Sequence, residues 1–438
     1  MMSLTDEMTA IQAHSQSIWN IAEGLKVGDV PPVDDPPTDE PPDDGSGEDG
    51  VPDPIGGVVP DDAIMVRAGV KNLASAMAAA QPGDTYVMEA HPDPARAHVT
   101  ILPANHPPIQ GTADKPITIM AEPGATVAGM IYLGKNDRHV VIRDIEHIGN
   151  KGASTGYFVQ MHGAQDIEIY NVRCSRFIHT SINRDTVVFW MGGGVKNIHI
   201  HHCDFLDIGA DCIHSYNSDG VVIENCTAEW TGERFTIAGR PNLRIGENFI
   251  DIKGGDNWVI QNCTVIGPSR NSVDPYSWSD PGAAPLGSTS QGGEGVVIHK
   301  WGARNINIRD CHFSGMHTPV KVLRNSSLNE IAKSDPVVGS DQITVVGCTF
   351  DAGDQRHDHP IVNAAVMAGS GRVYQTVPAG EFPRVTVTGC EFIGNWPAGD
   401  VLCKGSSTDR HPVVTVNHGG IGRVPRTVTQ GAGVINLG

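Results

Sequence analysis

The chain has 438 residues, of which 18% are charged and only 5% aromatic, with 51 glycines and 30 prolines. That composition suits turn-rich β structure over helical bundles, and the length allows two or three ordinary domains or one long repeat domain. A net charge of −19 argues against nucleic acid as a partner, because phosphate binding needs a basic surface, and it disfavours adsorption to an anionic membrane.

No apolar run is long enough to span a bilayer, so membrane insertion is not expected. The N-terminus, MMSLTDEMTAIQ, lacks the basic start and apolar core of a secretory signal. Delivery by something other than the general export route is therefore expected. Residues 3–26 read as a helix, with Leu4, Ile11, Ile18 and Leu25 every seven positions and Met8, Ser15 and Ala22 in the second seam. About three heptads is short for an independent coiled coil. The first unit, residues 1–30, is read either as an amphipathic helix docking on something or as an anchoring or oligomerising helix.

Residues 31–56 carry nine acids, eight prolines and no basic residue. Such a stretch cannot bury a core and is expected to be extended and disordered. A linker over 31–59 would hold the first helix away from the remainder, 60–438.

From about residue 60 the chain repeats. HVVIRDI (139–145), DIEIYNV (166–172), NIHIHHC (197–203), GVVIENC (220–226), NWVIQNC (257–263), NINIRDC (305–311), ITVVGC (343–348) and VTVTGC (385–390) align, each ending on a small apolar residue. The last residues lie 23 to 48 positions apart. A short alternating strand at such intervals marks a β-solenoid, in which inward Ile, Val and Cys stack one rung above another at about 4.8 Å. The Cys column then reads as core packing, since free Cys behaves as a small buried hydrophobe. No CxxC pair occurs among the nine cysteines, so a cysteine zinc site is not expected. The segment from about 400 onward is expected to cap the open end.

The strand-turn rungs with a stacked Asn before the Cys, Asn225 and Asn262, resemble right-handed parallel β-helix proteins of the pectate-lyase-like superfamily. AAAQPGDTYVMEA (78–90) followed by GTADKPITIMAEPGATVAG (111–129) is similar to the opening of polysaccharide lyases and related β-helix proteins. There a small capping helix precedes the first rung, a part that about 70–81 would play here. The resemblance covers roughly residues 62–400. It implies an all-β right-handed parallel β-helix and leaves the reaction open, because the scaffold carries lyases, hydrolases, epimerases and non-catalytic spikes. An N-terminal helix and linker ahead of such a helix look like a phage tailspike or fibre that binds or cuts a surface or capsular polysaccharide. Residues 1–30 would then hold other virion or particle proteins, and homotrimers are common among such spikes.

Side chains two apart share a strand face. Ile213, Ile250 and Ile298 each lie thirteen before their Cys. With these inward, His214, Asp251 and His299 face outward, and Tyr216, Lys253 and Trp301 share that face. Met191 and Gly193 occupy the same places one rung earlier, so the strip breaks upstream. A competing register lays GENFIDIK (246–253) without gaps on GEGVVIHK (293–300), stacking Glu247 on Glu294 and Lys253 on Lys300.

Aromatic rings with His and acidic groups suit sugars, and Lys253 points to an anionic one. For a uronate the expected chemistry is β-elimination, in which a base removes the proton beside the carboxylate and a cation neutralises the enolate. Asp251 on the same face would raise the Lys253 pKa, making Lys253 the neutraliser and His214 or His299 the base. The alternative is a solvated Asp251–Lys253 pair worth under about 1 kcal/mol. Arg240, Arg244 and Arg270 on adjacent loops could bind carboxylates, and Lys300 would add to them in the second register. A hydrolase would instead use two of Asp211, Glu247 and Asp251. The same three acids would hold calcium if a metal is needed; otherwise no cofactor is expected. His199 and His201 share a face and could form a metal pair or simply line an exposed strand.

Overall fold

A computed structural model describes residues 57–68, 72–93, 96–149, 156–177, 186–231, 235–237, 240–243, 248–267, 293–299, 303–324, 340–353, 364–370, 380–405 and 410–438. The expected N-terminal helix and all but the last residues of the expected linker lie outside them.

The described residues wind into a parallel β-helix with three faces. One rung shows the path. Strand Ser218–Glu224 runs along the first face, Asn225 turns the chain, and Thr227–Glu229 forms the second face. The third face is Asn248–Ile252, after which Lys253 and Gly254 lead back to the first face as Gly255–Gln261. The strands of the three faces pair in parallel with their counterparts one rung away, as Ile223 with Ile260, Ala228 with Val265 and Ile213 with Ile250, and Phe235–Ile237 with Arg240–Leu243 forms a separate antiparallel hairpin.

The corner between the first two faces is a single residue in the left-handed region. Asp144, Asn171, His202, Asn225, Asn262 and Asp310 hold φ between 50° and 53°, and Gly347 and Gly389 take the same corner at 64° and 60°. Asn, Asp and Gly visit this region at the lowest cost, which is why they precede the inward residue so regularly. Their amides still bond to the next rung: Asn225 N donates to Gln261 O at 3.2 Å and Asn262 N to Arg309 O at 3.2 Å.

Inside, Ile200, Ile223, Ile260, Ile308 and Val345 are fully buried in one core with Cys203, Cys226, Cys263, Cys311, Cys348 and Cys390. All nine cysteines are free and buried. At the N-terminal side, the helix Asn72–Ala76 and the 3-10 turn Met77–Ala79 bury Leu73 and Met77 into the same core. The segment beyond 400 departs from the expected cap. Val401–Gly405 pairs with Thr427–Gly431 and Arg410–Asn417 with Val434–Leu437, so this segment adds rungs to the third and first faces.

Candidate functional site

The outward strip lies on the third face, and its register differs from both expectations in an instructive way. His214 pairs with Asp251 and Ile213 with Ile250, as the spacing predicts. One rung on, Ile250 pairs with Val296, Asp251 with Val297 and Ile252 with Ile298. Ile298 therefore stacks on Ile252 instead of Ile250, and the gapless alternative fails as well, because Glu294 stands opposite Asn248. The displacement from the first register is two residues. An even slip keeps every side chain on its face, so Ile298 stays inward and His299 outward. The two residues are taken up between 299 and 303, because Gly255 still pairs with Ala303 on the next strand.

Upstream, Trp190 is the neighbour of His214, while Met191 pairs with Ser215 and is fully buried in the core. The expected break at Met191 and Gly193 is thus corrected. A turn one residue longer at 193–195 shifts the count, and an aromatic ring continues the strip. Trp190 lies 5.8 Å from Tyr216 and 4.3 Å from His162, ring centre to ring centre.

At the centre of the strip is a charged cluster. His214 Nδ1 lies 2.6 Å from Asp211 Oδ2. Asn248 Nδ2 donates to Asp211 Oδ1 at 2.7 Å. Lys253 Nζ lies 3.0 Å from Asp251 Oδ2 and 3.0 Å from His214 Nε2. His299 Nε2 lies 2.7 Å from Asp251 Oδ1. The Tyr216 ring covers the group, 5.1 Å from Lys253 Nζ and 4.8 Å from the His214 ring. This pattern assigns tautomers: His214 donates from Nδ1 to Asp211 and accepts the Lys253 ammonium at Nε2. By the same logic His299 donates from Nε2 to the Asp251 carboxylate, which leaves Nδ1 as its basic nitrogen.

The cluster is buried, not solvated. His214 is 3% exposed and Asp251 4%, although both point away from the core. Burial alone would raise the Asp251 carboxyl. The neighbouring His299, Lys253 and His214 outweigh it and hold the carboxyl well below the usual carboxylate range. Burial would lower Lys253, but Asp251 first, then Tyr216 and Asp211, hold its ammonium well above the usual value. Lys253 is therefore a fixed cation, as the neutralising role requires, and is poorly suited to act as a base.

Of the expected residues, Lys253, Asp251, His214, His299, Tyr216 and Asp211 come together. Glu247, Arg244, Arg270, Lys300 and Trp301 lie outside the described residues, and Arg240 is described only as backbone, in strand Arg240–Leu243. Three further residues, Asn248, Lys321 and His317, have no local signature in the sequence, and Glu294, expected only as a partner of Glu247, stands opposite Asn248. Asn248 anchors Asp211 from the next rung. Glu294 and Lys321 form a direct ion pair, both buried on the same face, with His317 Nδ1 3.9 Å from Glu294 Oε1. Burial raises the Glu294 carboxyl despite Lys321. Glu294 and Lys321 lie 27 positions apart, so only the solenoid register brings them together.

Asp211, His214 and Asp251 offer ligand atoms within 4.8 Å of one another. The set fits calcium poorly. Calcium favours oxygen ligands, whereas an imidazole lies between these carboxylates and the Lys253 ammonium already rests against Asp251.

Comparison with solved structures finds similar folds at low identity. An alginate lyase from Paenibacillus sp. str. FPU-7 is 14% identical, with TM-score 0.47, covering 81% of this chain and 99% of that one. A thermostable alpha-1,3-glucanase catalytic unit from Streptomyces thermodiastaticus is 13% identical, with TM-score 0.36, over 86% of this chain and 71% of that one. A tailspike protein from an Acinetobacter baumannii bacteriophage, a capsular polysaccharide depolymerase, is 11% identical, with TM-score 0.29, over 86% and 64%. No curated protein matches the sequence. The family model for the right-handed beta helix region matches residues 186–415, which include every residue of the charged cluster, and the chain belongs to that right-handed β-helix family.

Proposed function

We propose that the third face carries an active site for an acidic polysaccharide, cleaved by β-elimination at a uronate. The observation that carries this reading is the Lys253 ammonium, fixed between Asp251 and His214 beside the Tyr216 ring. A fixed cation on an otherwise acidic chain selects an anionic sugar and meets the negative charge that grows on its carboxylate. The Tyr216 ring offers a face for a pyranose. His299, oriented by Asp251, is the group that removes the proton from the carbon beside the carboxylate, through Nδ1. The electron pair of that C–H bond forms the unsaturated bond as the glycosidic C–O bond breaks, and the departing oxygen takes up a proton from water. His214 and Asp211 position the ammonium.

A hydrolytic reading has one observation in its favour: Glu294, whose raised carboxyl suits a proton donor. Its direct pairing with Lys321 opposes that role. Attachment to a virion or similar particle through residues 1–30 is a further part of the proposal, drawn from the helix and linker pattern in the sequence.

Incubation with a panel of uronate polysaccharides, followed by ultraviolet absorbance, tests the reading. Growth of the unsaturated-uronate signal, abolished by Lys253→Met and by His299→Ala, is the expected result. Reducing ends without that absorbance would replace elimination by hydrolysis. Retention of the glycan with neither product would make the face a binding surface only.

A further inference from the structure

A second polar cluster sits on the first face, away from the site described above. Strand Lys196–His201 turns His199 and His201 outward, two positions apart. Their rings stack with centres 4.2 Å apart. Glu168 reaches them from strand Gln165–Ser175 and Glu224 from Ser218–Glu224, so the group is built from three strands. His201 Nε2 lies 2.9 Å from Glu168 Oε1 and His199 Nε2 2.7 Å from Glu224 Oε1. His202 adds a third imidazole: its corner position at φ 51° brings Nδ1 to 2.8 Å from His201 Nδ1.

We propose that Glu168, His199 and His201 bind a divalent transition-metal ion, with zinc the best match. The donor set is two imidazoles and a carboxylate, which suits zinc, nickel or copper and not calcium or magnesium. One ligand atom from each of the three lies within 4.8 Å of the others. A tetrahedral ion with bonds of about 2.0–2.1 Å spaces its ligands roughly 3.4 Å apart, so modest side-chain rotation closes the site. The side chains are 15% to 31% exposed, so the rotation exchanges the His201–Glu168 and His199–Glu224 contacts for bonds to the ion. The contrast with the third face is informative. There a lysine ammonium already rests against the carboxylate. Here Glu168 bonds to an imidazole and Glu224 to an imidazole and the Gln261 amide, while the nearby Arg143 guanidinium lies over the Tyr170 ring and acts on Glu168 through its charge.

The ion takes the place of the proton shared between His201 and Glu168, and protons leave as it binds. Glu224 then accepts from His199 or completes the coordination. The Tyr170 ring, stacked on His201 at 5.0 Å, holds that imidazole from the other side. A bound ion would tie together the rungs that carry Glu168 and His199, just upstream of the charged cluster.

Calorimetric titration of the full chain with Zn²⁺ tests the proposal, with Co²⁺ absorption as a second readout. One ion per chain is expected, together with a Co²⁺ spectrum of nitrogen and oxygen ligands and a rise in melting temperature. His199→Ala/His201→Ala should abolish that equivalent, and the isosteric Glu168→Gln should weaken it at least tenfold. Circular dichroism shows whether each variant is folded. If the double variant misfolds, Glu168→Gln decides alone. Absence of binding to the parent chain, or the same stoichiometry and affinity in a folded variant, overturns the assignment.

Discussion

Lys253→Met separates a buried charged cluster from surface decoration. The substitution keeps the length of the stem and removes the ammonium that lies 3.0 Å from Asp251 and 3.0 Å from His214. If the pair were solvated, its loss would cost under about 1 kcal/mol. The side chains are only 12% and 6% exposed, so the relevant case is a buried pair with one partner deleted, which costs about 3–5 kcal/mol. His299 remains 2.7 Å from Asp251 and compensates in part, which places the expectation near the lower end. Lys253→Met/Asp251→Asn removes both charges, so the double variant should be more stable than the sum of the singles by about 1–3 kcal/mol. Urea denaturation followed by tryptophan fluorescence is the assay, and hydrogen exchange in strand Asn248–Ile252 guards against rung-by-rung unfolding. If each single variant costs under about 1 kcal/mol and the two simply add, the cluster is solvated and the electrostatic basis of the proposed site fails.

Burial pushes His147 down to about 4; its ring lies 4.2 Å from Phe158 and 5.2 Å from Phe177. Its folded value is below the unfolded one, so it costs stability as pH falls from about 6.5 toward 4, by roughly 3 kcal/mol in full. In His147→Phe, stability measured across that window should lose most of this slope; an unchanged slope would show that other groups produce it. Burial raises the Cys174 and Cys212 thiols well above the usual range. A thiol reagent should therefore leave all nine buried cysteines unlabelled in the folded chain and modify all nine in denaturant. Cys263→Ser puts a hydroxyl in the core column and should cost about 1–3 kcal/mol by chemical denaturation, whereas a cost near zero would mean the column is looser than its burial indicates. Gly255→Ala should also be destabilising, because φ is 123° and a Cβ there would stand 2.0 Å from Ser218 O; thermal melting would show it.

The first face was legible from the sequence because its signal repeats: an inward Ile or Val, a residue suited to the left-handed corner, then a small inward residue. Asn225 with Cys226 and Asn262 with Cys263 fix the register there without reference to anything else. The third face was legible in parity and not in partner. Counting back thirteen from a Cys crosses the turn between the faces, and that turn varies in length. One extra residue at 193–195 exchanged Met191 for Trp190, and two between 299 and 303 moved Ile298 from Ile250 to Ile252. Strands two apart in count still present the same face, which is why His214, Asp251, Lys253 and His299 were found together despite the slip. Burial of the strip was not legible, since an outward polar residue looks the same in sequence whether covered or bare. The pair of Glu294 and Lys321 has no local mark because its geometry exists only between rungs.

The left-handed corners have a mechanical consequence. Strand pairing on the three faces runs along the axis of the helix, from one rung to the next, while the covalent chain runs around it. A pull along the axis therefore loads the rung interfaces in series, and the weakest opens first. The charged cluster spans four strands of the third face, from Asp211–Ser215 through Asn248–Ile252 and Glu294–Ile298 to Thr318–Arg324. The contacts His214–Asp251, His299–Asp251 and Glu294–Lys321 cross those interfaces, so they act as rivets along the direction in which the backbone is weakest. Stretching the molecule would break the cluster at the same moment that it parts the rungs.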